Sequence, residues 1–566
     1  MSFRFDSAIS NRLRKFSFRN YARPVLAVAG GLCLSLSFPN WEIAGLGWLG
    51  PGLLLASAVG CAPRAAFGLG FLGGLSFFLT SLVWLLRIPF PVGAFAGWLS
   101  LSIYCSLYPA VWVWICSRVA TPGGGARPAT NEGDARAEDR GPRSFLAAVA
   151  GLSWSGRAFW CLFCAALWVA LEMLRVRFLT GFPWNILGAS QFRMLPVIQM
   201  AAWTGVYGVS FLMVWFSASF LSAVAVLLVD PARHRSWVAE MILPMLVVAV
   251  ATAMGFDRVS TAANREAADS SGPKLRVAFV QPSIPQTVIF DPSEAQPRFQ
   301  KLLAMSTTSL AQHPDVVIWP EGAMPPWTVE NFRAITNFTA SHHVWMIFGA
   351  DDVEQSAKGV RYFNSAVLFG PDGTFANSYR KRLLVIFGEY IPLIRWLPFL
   401  RYLTPIEDGF SAGDRPGDFR LSSLRARIGV FICFEDVFPD DTRAFVRSDT
   451  DFLLNLTNDG WFGESAAQWQ QAGMSVFRAV ENGAPLARCT NNGLTCWIDK
   501  VGRIRQWLED GRNIYSPGIM VADLPLLGGA ERTPTFYHQH GDCFGWVCVV
   551  WVCMQLARRI SARRGR

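Results

Sequence analysis

The chain has 566 residues, of which 52% are hydrophobic and only 16% are charged, with a formal net charge of +10. Soluble proteins carry about 25% charged residues, so a wholly soluble globular protein is excluded. The basic surplus gathers at the ends of apolar runs and no zinc-finger or other nucleic-acid motif accompanies it, which reads as membrane topology rather than nucleic-acid binding.

In chain order, a polar N-terminus with Arg12, Arg14, Lys15, Arg19 and Arg23 precedes an apolar run over residues 24–38. Further apolar runs lie near 45–61, 66–86, 93–117, 158–174, 203–229 and 237–255, and a last one covers 542–557. Crossing a bilayer as a helix takes about 20 apolar residues, so about eight transmembrane helices are expected, several marginal in length. The more basic loops would hold both termini on the cytoplasmic side. These are the N-terminus, the segment 118–157 with Arg127, Arg136, Arg140 and Arg143, and the tail with Arg558, Arg559, Arg563, Arg564 and Arg566. Seven crossings before residue 256 and one after 540 would then put residues 270–530, whose composition is that of a soluble domain, on the opposite face. The loop 118–157 is rich in Gly, Pro and charge and is expected to be disordered. Residues 175–185, with Gly181, Pro183 and Trp184 beside a membrane end, read equally as a re-entrant loop or as an aromatic belt.

Within 270–530, strands are expected at 275–281, 315–320, 344–349, 363–369, 427–434, 451–456 and 485–490, with helices between them. One helix should run from Ser465 to Asn482 and stop at Gly483. Alternating strands and helices argue for an α/β layered domain. The segment 391–404 (IPLIRWLPFLRYLT) is too apolar for an exposed loop. It reads equally as a flap that dips into lipid or as a piece of the core.

Three charged or nucleophilic residues lie at or near strand ends. Glu321 ends Asp315-Val-Val-Ile-Trp-Pro-Glu, Lys381 precedes Phe387-Gly388-Glu389-Tyr390, and Cys433 closes Arg427-Ile-Gly-Val-Phe-Ile-Cys. A carboxylate, an ammonium and a thiol together support acyl transfer. A neighbouring cation is expected to lower the thiol pKa and favour the attacking thiolate. Glu321 can take the thiol proton and later deprotonate an amine, and Lys381 can stabilise the oxyanion. The other cysteines, Cys489 and Cys496 included, read as reduced packing residues. His538, His540 and Asp542 read as surface, and neither a metal nor a cofactor is expected.

The pattern Trp-Pro-Glu, Tyr-x-Lys, Phe-Gly-Glu-Tyr and Cys-x-Glu resembles the nitrilase superfamily. With membrane helices on both sides, it is similar to that superfamily's membrane-embedded branch, the apolipoprotein N-acyltransferases. The likeness extends through Asn458-Asp459-Gly460-Trp461-Phe462-Gly463 and Arg488-Cys-Thr-Asn-Asn-Gly493. It implies an αββα sandwich inserted in a polytopic α-helical membrane domain of a bacterial inner membrane, facing the periplasm. It implies transfer of an acyl chain from a phospholipid, commonly phosphatidylethanolamine, through a cysteine thioester to the amino group of a diacylglyceryl-cysteine that begins an apolipoprotein. This is the last step of lipoprotein maturation. By residue matching Glu321 is the base, Lys381 the oxyanion stabiliser and Cys433 the nucleophile. Glu389 and Glu435 are supporting carboxylates that would hold Lys381 or the substrate amine. Tyr390 and Phe434 take supporting places, and Phe290, Trp461, Asn458 and Trp396 fall to substrate binding. Phe290 and Phe434 stand where the family often has Trp and Tyr, and Ile386 where a proline is common. A monomer is expected. Two rival readings are a membrane-tethered amidase that uses water as acceptor and a membrane scaffold with an inactive enzyme domain.

Overall fold

The computed structural model describes residues 7–120, 149–229, 234–268, 271–289, 291–356, 359–394, 396–404, 409–511 and 513–564. All eight apolar runs are helical. We label the principal helices α1 (Ser7–Leu36), α2 (Gly50–Ala58), α3 (Pro63–Ser81), α4 (Pro91–Ala120), α5 (Trp154–Arg177), α6 (Val206–Val229) and α7 (His234–Ala268). By length and composition α3 to α7 and the C-terminal helix Cys543–Arg564 can cross a membrane, whereas the apolar parts of α1 and α2 are shorter. The loop expected over 118–157 is shorter at both ends, because α4 runs to Ala120 and α5 starts at Trp154; residues 121–148 lie outside the described residues. Ser153 caps α5 by accepting from Gly156 N at 3.1 Å. Helix α7 continues to Ala268, past the expected membrane limit at 256. Near its end Glu266 accepts from Arg505 at 2.7 and 2.9 Å, so the helix itself links the two halves of the chain.

One detail of the spans differs from expectation. Besides Glu172, which accepts from Trp168 Nε1 at 2.9 Å and Leu187 N at 2.8 Å, a second carboxylate, Glu240, is buried inside an expected span. It is paired there with the equally buried Arg157. A paired charge satisfies itself in an apolar setting, which hydropathy alone cannot register.

The second half is a sandwich of two six-stranded sheets. The strands are β1 (Lys274–Gln281), β2 (Val316–Ile318), β3 (Trp345–Ser356), β4 (Gly359–Phe369), β5 (Phe375–Arg380), β6 (Gly417–Leu421), β7 (Ala426–Ile432), β8 (Phe452–Thr457), β9 (Leu486–Thr490), β10 (Cys496–Ile498), β11 (Ile504–Trp507) and β12 (Gly518–Pro525). Their orders are β12-β1-β2-β3-β4-β5 and β11-β10-β9-β8-β7-β6. The centre of each sheet is parallel, β1-β2-β3 and β7-β8-β9, and the margins are antiparallel. Parallel strands buried on both faces read as largely apolar runs, as β7 and β8 do apart from Arg427 in β7 and Asn455 and Thr457 in β8. Helices Ala295–Ser309 and Val329–His342 (α8 and α9) cover the first sheet and bury Phe299, Leu302 and Ile335 against Phe348 and Trp319. Helix Ala467–Asn482 (α10) covers the second.

Helix α10 ends at Gly483 with φ of +61°, as expected. It is buried on every side, because the membrane half covers the face that the sheet leaves open. Gln470 accepts from Trp84 Nε1 at 3.1 Å and Trp184 Nε1 at 2.7 Å, and donates to Pro39 O at 2.8 Å. The segment 175–185 therefore folds back into the protein: Arg175 donates to Trp184 O at 2.7 Å, and the Trp184 ring is 2% exposed. Trp184 is thus packed inside the protein, while Phe178 and Leu179 of the same segment are exposed.

Candidate active site

The carboxyl ends of β2, β5, β7 and β8 meet at one edge of the sandwich, and each is followed within three residues by a functional residue. In open parallel sheets this edge is where ligands bind. The structure brings Glu321, Lys381, Glu389, Asn458 and Cys433 together there. Lys381 is 1% exposed and donates to Glu389 Oε1 at 2.9 Å and Glu321 Oε1 at 3.3 Å. Burial alone would push its ammonium down, but Glu321, Glu389 and Cys433 outweigh it and hold the group well above the usual lysine range. Lys381 is a fixed cation.

Both glutamates are themselves oriented. Asn364 of β4 donates from Nδ2 to Glu321 Oε1 at 2.7 Å and to Glu389 Oε1 at 2.8 Å. Glu321 Oε2 accepts from Asn458 N at 2.9 Å, and Glu389 Oε2 from Val385 N at 2.9 Å. Asn458 thus serves the base through its backbone, while its side chain is spent on Gln286 at 2.9 Å and Asn491 at 2.9 Å. Asn364 was missed by sequence reasoning. Its one signal is a polar residue followed by five apolar or small ones in β4.

Cys433 follows the last residue of β7 with φ of +51°, a left-handed conformation that non-glycine residues rarely adopt. Such strain costs about 1–3 kcal/mol and persists only where the surroundings hold it. Here the carbonyl of Cys433 accepts from Asn455 Nδ2 at 3.2 Å and from Gln471 Nε2 at 3.1 Å. Those two amides are aligned in turn by Asp436, which accepts from Asn455 at 2.6 Å, Gln471 at 3.0 Å and Ser475 at 2.6 Å, and which pairs with the fully buried Arg488. None of Asn455, Gln471, Asp436 or Arg488 had been assigned a role from the sequence.

The expected lowering of the thiol pKa is not what the geometry gives. Burial pushes the Cys433 thiol up, the Glu321 carboxylate adds to this, and Lys381 only partly opposes it, so the group stays well above its usual value. The sequence reveals the cation but not the burial. A neutral thiol beside a carboxylate needs a base at the moment of attack, which is the place Glu321 occupies.

Glu435 does not hold Lys381. It is 1% exposed and accepts from Tyr379 Oη at 2.7 Å, Arg382 N at 2.8 Å, Leu383 N at 3.1 Å and Ile432 N at 2.7 Å. It therefore ties the strand that ends in Cys433 to the segment that carries Lys381. Burial pushes its carboxyl up to about 7 against those donors and against Lys381. All four partners donate, so the site is built for the carboxylate form.

Phe434 stacks on Trp184 with ring centroids 6.3 Å apart. Tyr390 contributes its backbone carbonyl to Phe387 N at 2.8 Å. Trp461 lies in the turn Asp459–Phe462 after β8, whose Phe462 packs edge-on against Trp84 at 4.6 Å. Trp396 does not join the site: it is 81% exposed, on a segment that also exposes Leu393, Phe399 and Tyr402 and rests against α4. That segment does not pack into the core. Phe290 lies outside the described residues.

A further carboxylate stands beside the glutamates. The Asp351 side chain keeps solvent access, but the protein crowded around its carboxyl, then Glu321 and Glu389, push it up to about 6.

Comparison with known proteins gives two family matches. Residues 276–525 match the carbon-nitrogen hydrolase family, and residues 30–219 match the apolipoprotein N-acyltransferase N-terminal domain. Apolipoprotein N-acyltransferase of Geobacter metallireducens is 32% identical over 538 residues, covering 93% of each chain. That of Vibrio vulnificus is 26% identical and covers 95% of this chain and 97% of its own. Among solved structures, an amidase of the nitrilase superfamily from Nesterenkonia is 17% identical, covers 48% of this chain and 94% of its own, and superposes with a TM-score of 0.35.

Proposed function

The chain belongs to the apolipoprotein N-acyltransferase family, and from that premise we propose that its transfer runs in two half-reactions through a thioester on Cys433. It is an acyltransferase of the bacterial inner membrane with lipid and lipoprotein substrates. The donor is a phospholipid, phosphatidylethanolamine in the first instance. The acceptor is the free amine of a diacylglyceryl-cysteine, and the sandwich faces the periplasm with both termini in the cytoplasm.

In the first half-reaction Glu321 takes the thiol proton as Cys433 Sγ attacks an ester carbonyl of the phospholipid. Lys381 faces the oxyanion that develops. The C–O bond breaks, and the leaving alkoxide recovers the proton from Glu321 to depart as lysophospholipid. In the second, the amine attacks the thioester, Glu321 takes a proton from nitrogen, the C–S bond breaks and the proton returns to sulfur. Glu389 and Asn364 keep Lys381 and Glu321 aimed through both.

The observation that carries this reading is the buried bridge from Glu389 through Lys381 to Glu321 at 2.9 and 3.3 Å, beside a strained cysteine. The exposed apolar segment with Trp396 and Phe399 supports a donor that arrives from the lipid phase. The test is intact-protein mass spectrometry of the enzyme incubated with a phospholipid of one acyl composition. We expect a gain of one acyl group, absent in Cys433→Ala and discharged by a lipopeptide with a free amine. Discharge by water alone would mark a tethered hydrolase, and no adduct with any phospholipid would leave the domain without the proposed chemistry.

A further inference from the structure

The carboxylates along β3 are treated in two different ways. Asp352 and Glu354 lie on the helix side of the first sheet, where Arg380 donates to Asp352 at 2.7 Å and Glu354 pairs with both Arg380 and Arg361. Asp351 points to the other side. Trp345 and Ile347 of the same strand, two residues apart from one another, bury themselves between the sheets, whereas Met346, Phe348 and Ala350 bury themselves under the helices. Continuing that alternation, Gly349 and Asp351 face the second sheet.

Gly349 fixes how close this line runs to the base, since a Cβ there would lie 2.6 Å from the Cα of Glu321. Two residues further, Asp351 is directly opposite Asn364 in the β3–β4 ladder. Directly opposed side chains have Cβ atoms about 4.5–5.5 Å apart. Asn364 is the residue whose amide bridges Glu321 and Glu389. The backbone of Asp351 is held by Trp327 Nε1, which donates to its carbonyl at 3.1 Å. Its carboxylate forms no ion pair among the described residues.

The resulting charge is unbalanced. Glu321, Glu389 and Asp351 are three carboxylates, and Lys381 is the cation bonded to the first two. The two glutamates are buried, and Asp351 alone of the three is exposed. A site that retains surplus negative charge at its solvent side is built to receive a cation. Of the two proposed substrates, the acceptor brings one to the reacting atoms, its α-ammonium group.

Resting on the two-step reading above, we propose that Asp351 is the acceptor-binding residue that takes the α-ammonium of the incoming N-terminal cysteine and favours an amine over water at the thioester. The ammonium gives one proton to Asp351, which passes it to solvent. The neutral nitrogen then attacks the thioester carbon, a second proton moves to Glu321, the C–N bond forms, the C–S bond breaks and Glu321 returns its proton to Cys433 Sγ. A neutral water molecule can only hydrogen-bond to Asp351, whereas an ammonium adds a full charge to that contact, so the acceptor is favoured over water at the thioester.

The test compares wild-type enzyme, Asp351→Asn and Asp351→Glu in detergent with phosphatidylethanolamine and a synthetic diacylglyceryl lipopeptide. Loading of Cys433 is followed by intact mass, and transfer is followed against lipopeptide concentration. Asp351→Asn should raise the lipopeptide concentration for half-maximal transfer about tenfold, the scale of one charge-assisted contact, and exceed any change in loading rate. The share of thioester lost to water should rise with it. Asp351→Glu should recover most of the acceptor affinity, and raised salt should weaken wild type toward the Asn variant. An unchanged acceptor dependence would overturn the proposal. So would an equal fall in loading and transfer, which would mark a purely structural residue. Failure of the two-step reading is seen separately, as no adduct on wild-type Cys433.

Discussion

The two sheets of the sandwich contribute in different ways. The first carries the charges, Glu321 after β2, Lys381 after β5 and Asp351 in β3, together with the neutral amide of Asn364 in β4 that bridges the two glutamates. The second carries the sulfur, and around it sits a frame of neutral amides aimed by one buried ion pair, Asp436 with Arg488. One sheet handles protons and the other holds geometry. Because the charges and the thiol come from separate sheets, their spacing is set by the packing between sheets, not by any local motif.

Substitutions can break that division. Cys433→Ala should abolish the acyl-enzyme and overall transfer while the protein still elutes and melts as wild type; measurable turnover would refute the nucleophile assignment. On the charge side, Glu321→Gln keeps the shape and removes the base, and should lower the loading rate by about 10²–10⁴. Lys381→Met should cost about 10²–10³ in the same single-turnover assay, as loss of an oxyanion donor does. On the geometry side the effects should be smaller. Gln471→Ala removes one of two bonds to the Cys433 carbonyl and should slow loading about tenfold with little change in the lipid concentration for half-maximal rate. A loss as large as that of Glu321→Gln would mean that the second sheet does more than hold. Cys489→Ala should leave both half-reactions within about twofold, because burial keeps that thiol protonated and it lies against Val280 and Ile318 carbonyls instead of the site.

A pH measurement sharpens the same contrast. Since the Cys433 thiol is raised, its thiolate fraction should still be climbing above pH 9. Alkylation of Cys433 by iodoacetamide in the absence of lipid should therefore be slow at pH 7 and rise with each pH unit. A plateau below pH 8 would show a resting thiolate and return the activating role to Lys381.

The reacting groups were largely legible in the sequence. Glu321 and Cys433 each follow an apolar run, and a functional group just past a buried strand is conspicuous against it, whereas Lys381 follows the polar strand β5 and was legible only through its Tyr-x-Lys motif. The holding side was not. Asn364 and Gln471 are uncharged, sit inside regular elements and differ from surface amides only in three dimensions. The left-handed backbone of Cys433 occurs at a residue with a side chain, so no glycine announced it. Helix α10 was legible as a helix, but its burial on every side was not, because the membrane half covers the face that the sheet leaves open. Trp396 misled for the opposite reason, since an aromatic residue reads as part of a pocket and this one is largely exposed. Strand β10 is only three residues long, and β11 carries Arg505 and Gln506 in its four, so neither stood out as a strand.

Gln470 and Gln471 are neighbours on α10, one bonded to Trp84, Trp184 and Pro39 of the membrane half and the other to the nucleophile's carbonyl. Two consecutive amides thus moor the reacting sulfur to the membrane half at a set height. The catalytic half is not a lobe on a leash that rides up and down with the bilayer. A donor whose ester carbonyls lie just below the headgroup would be met at one depth, however long its tails. Loading rates in vesicles of short- and long-chain phospholipid should accordingly differ little in wild type and diverge in Gln470→Ala.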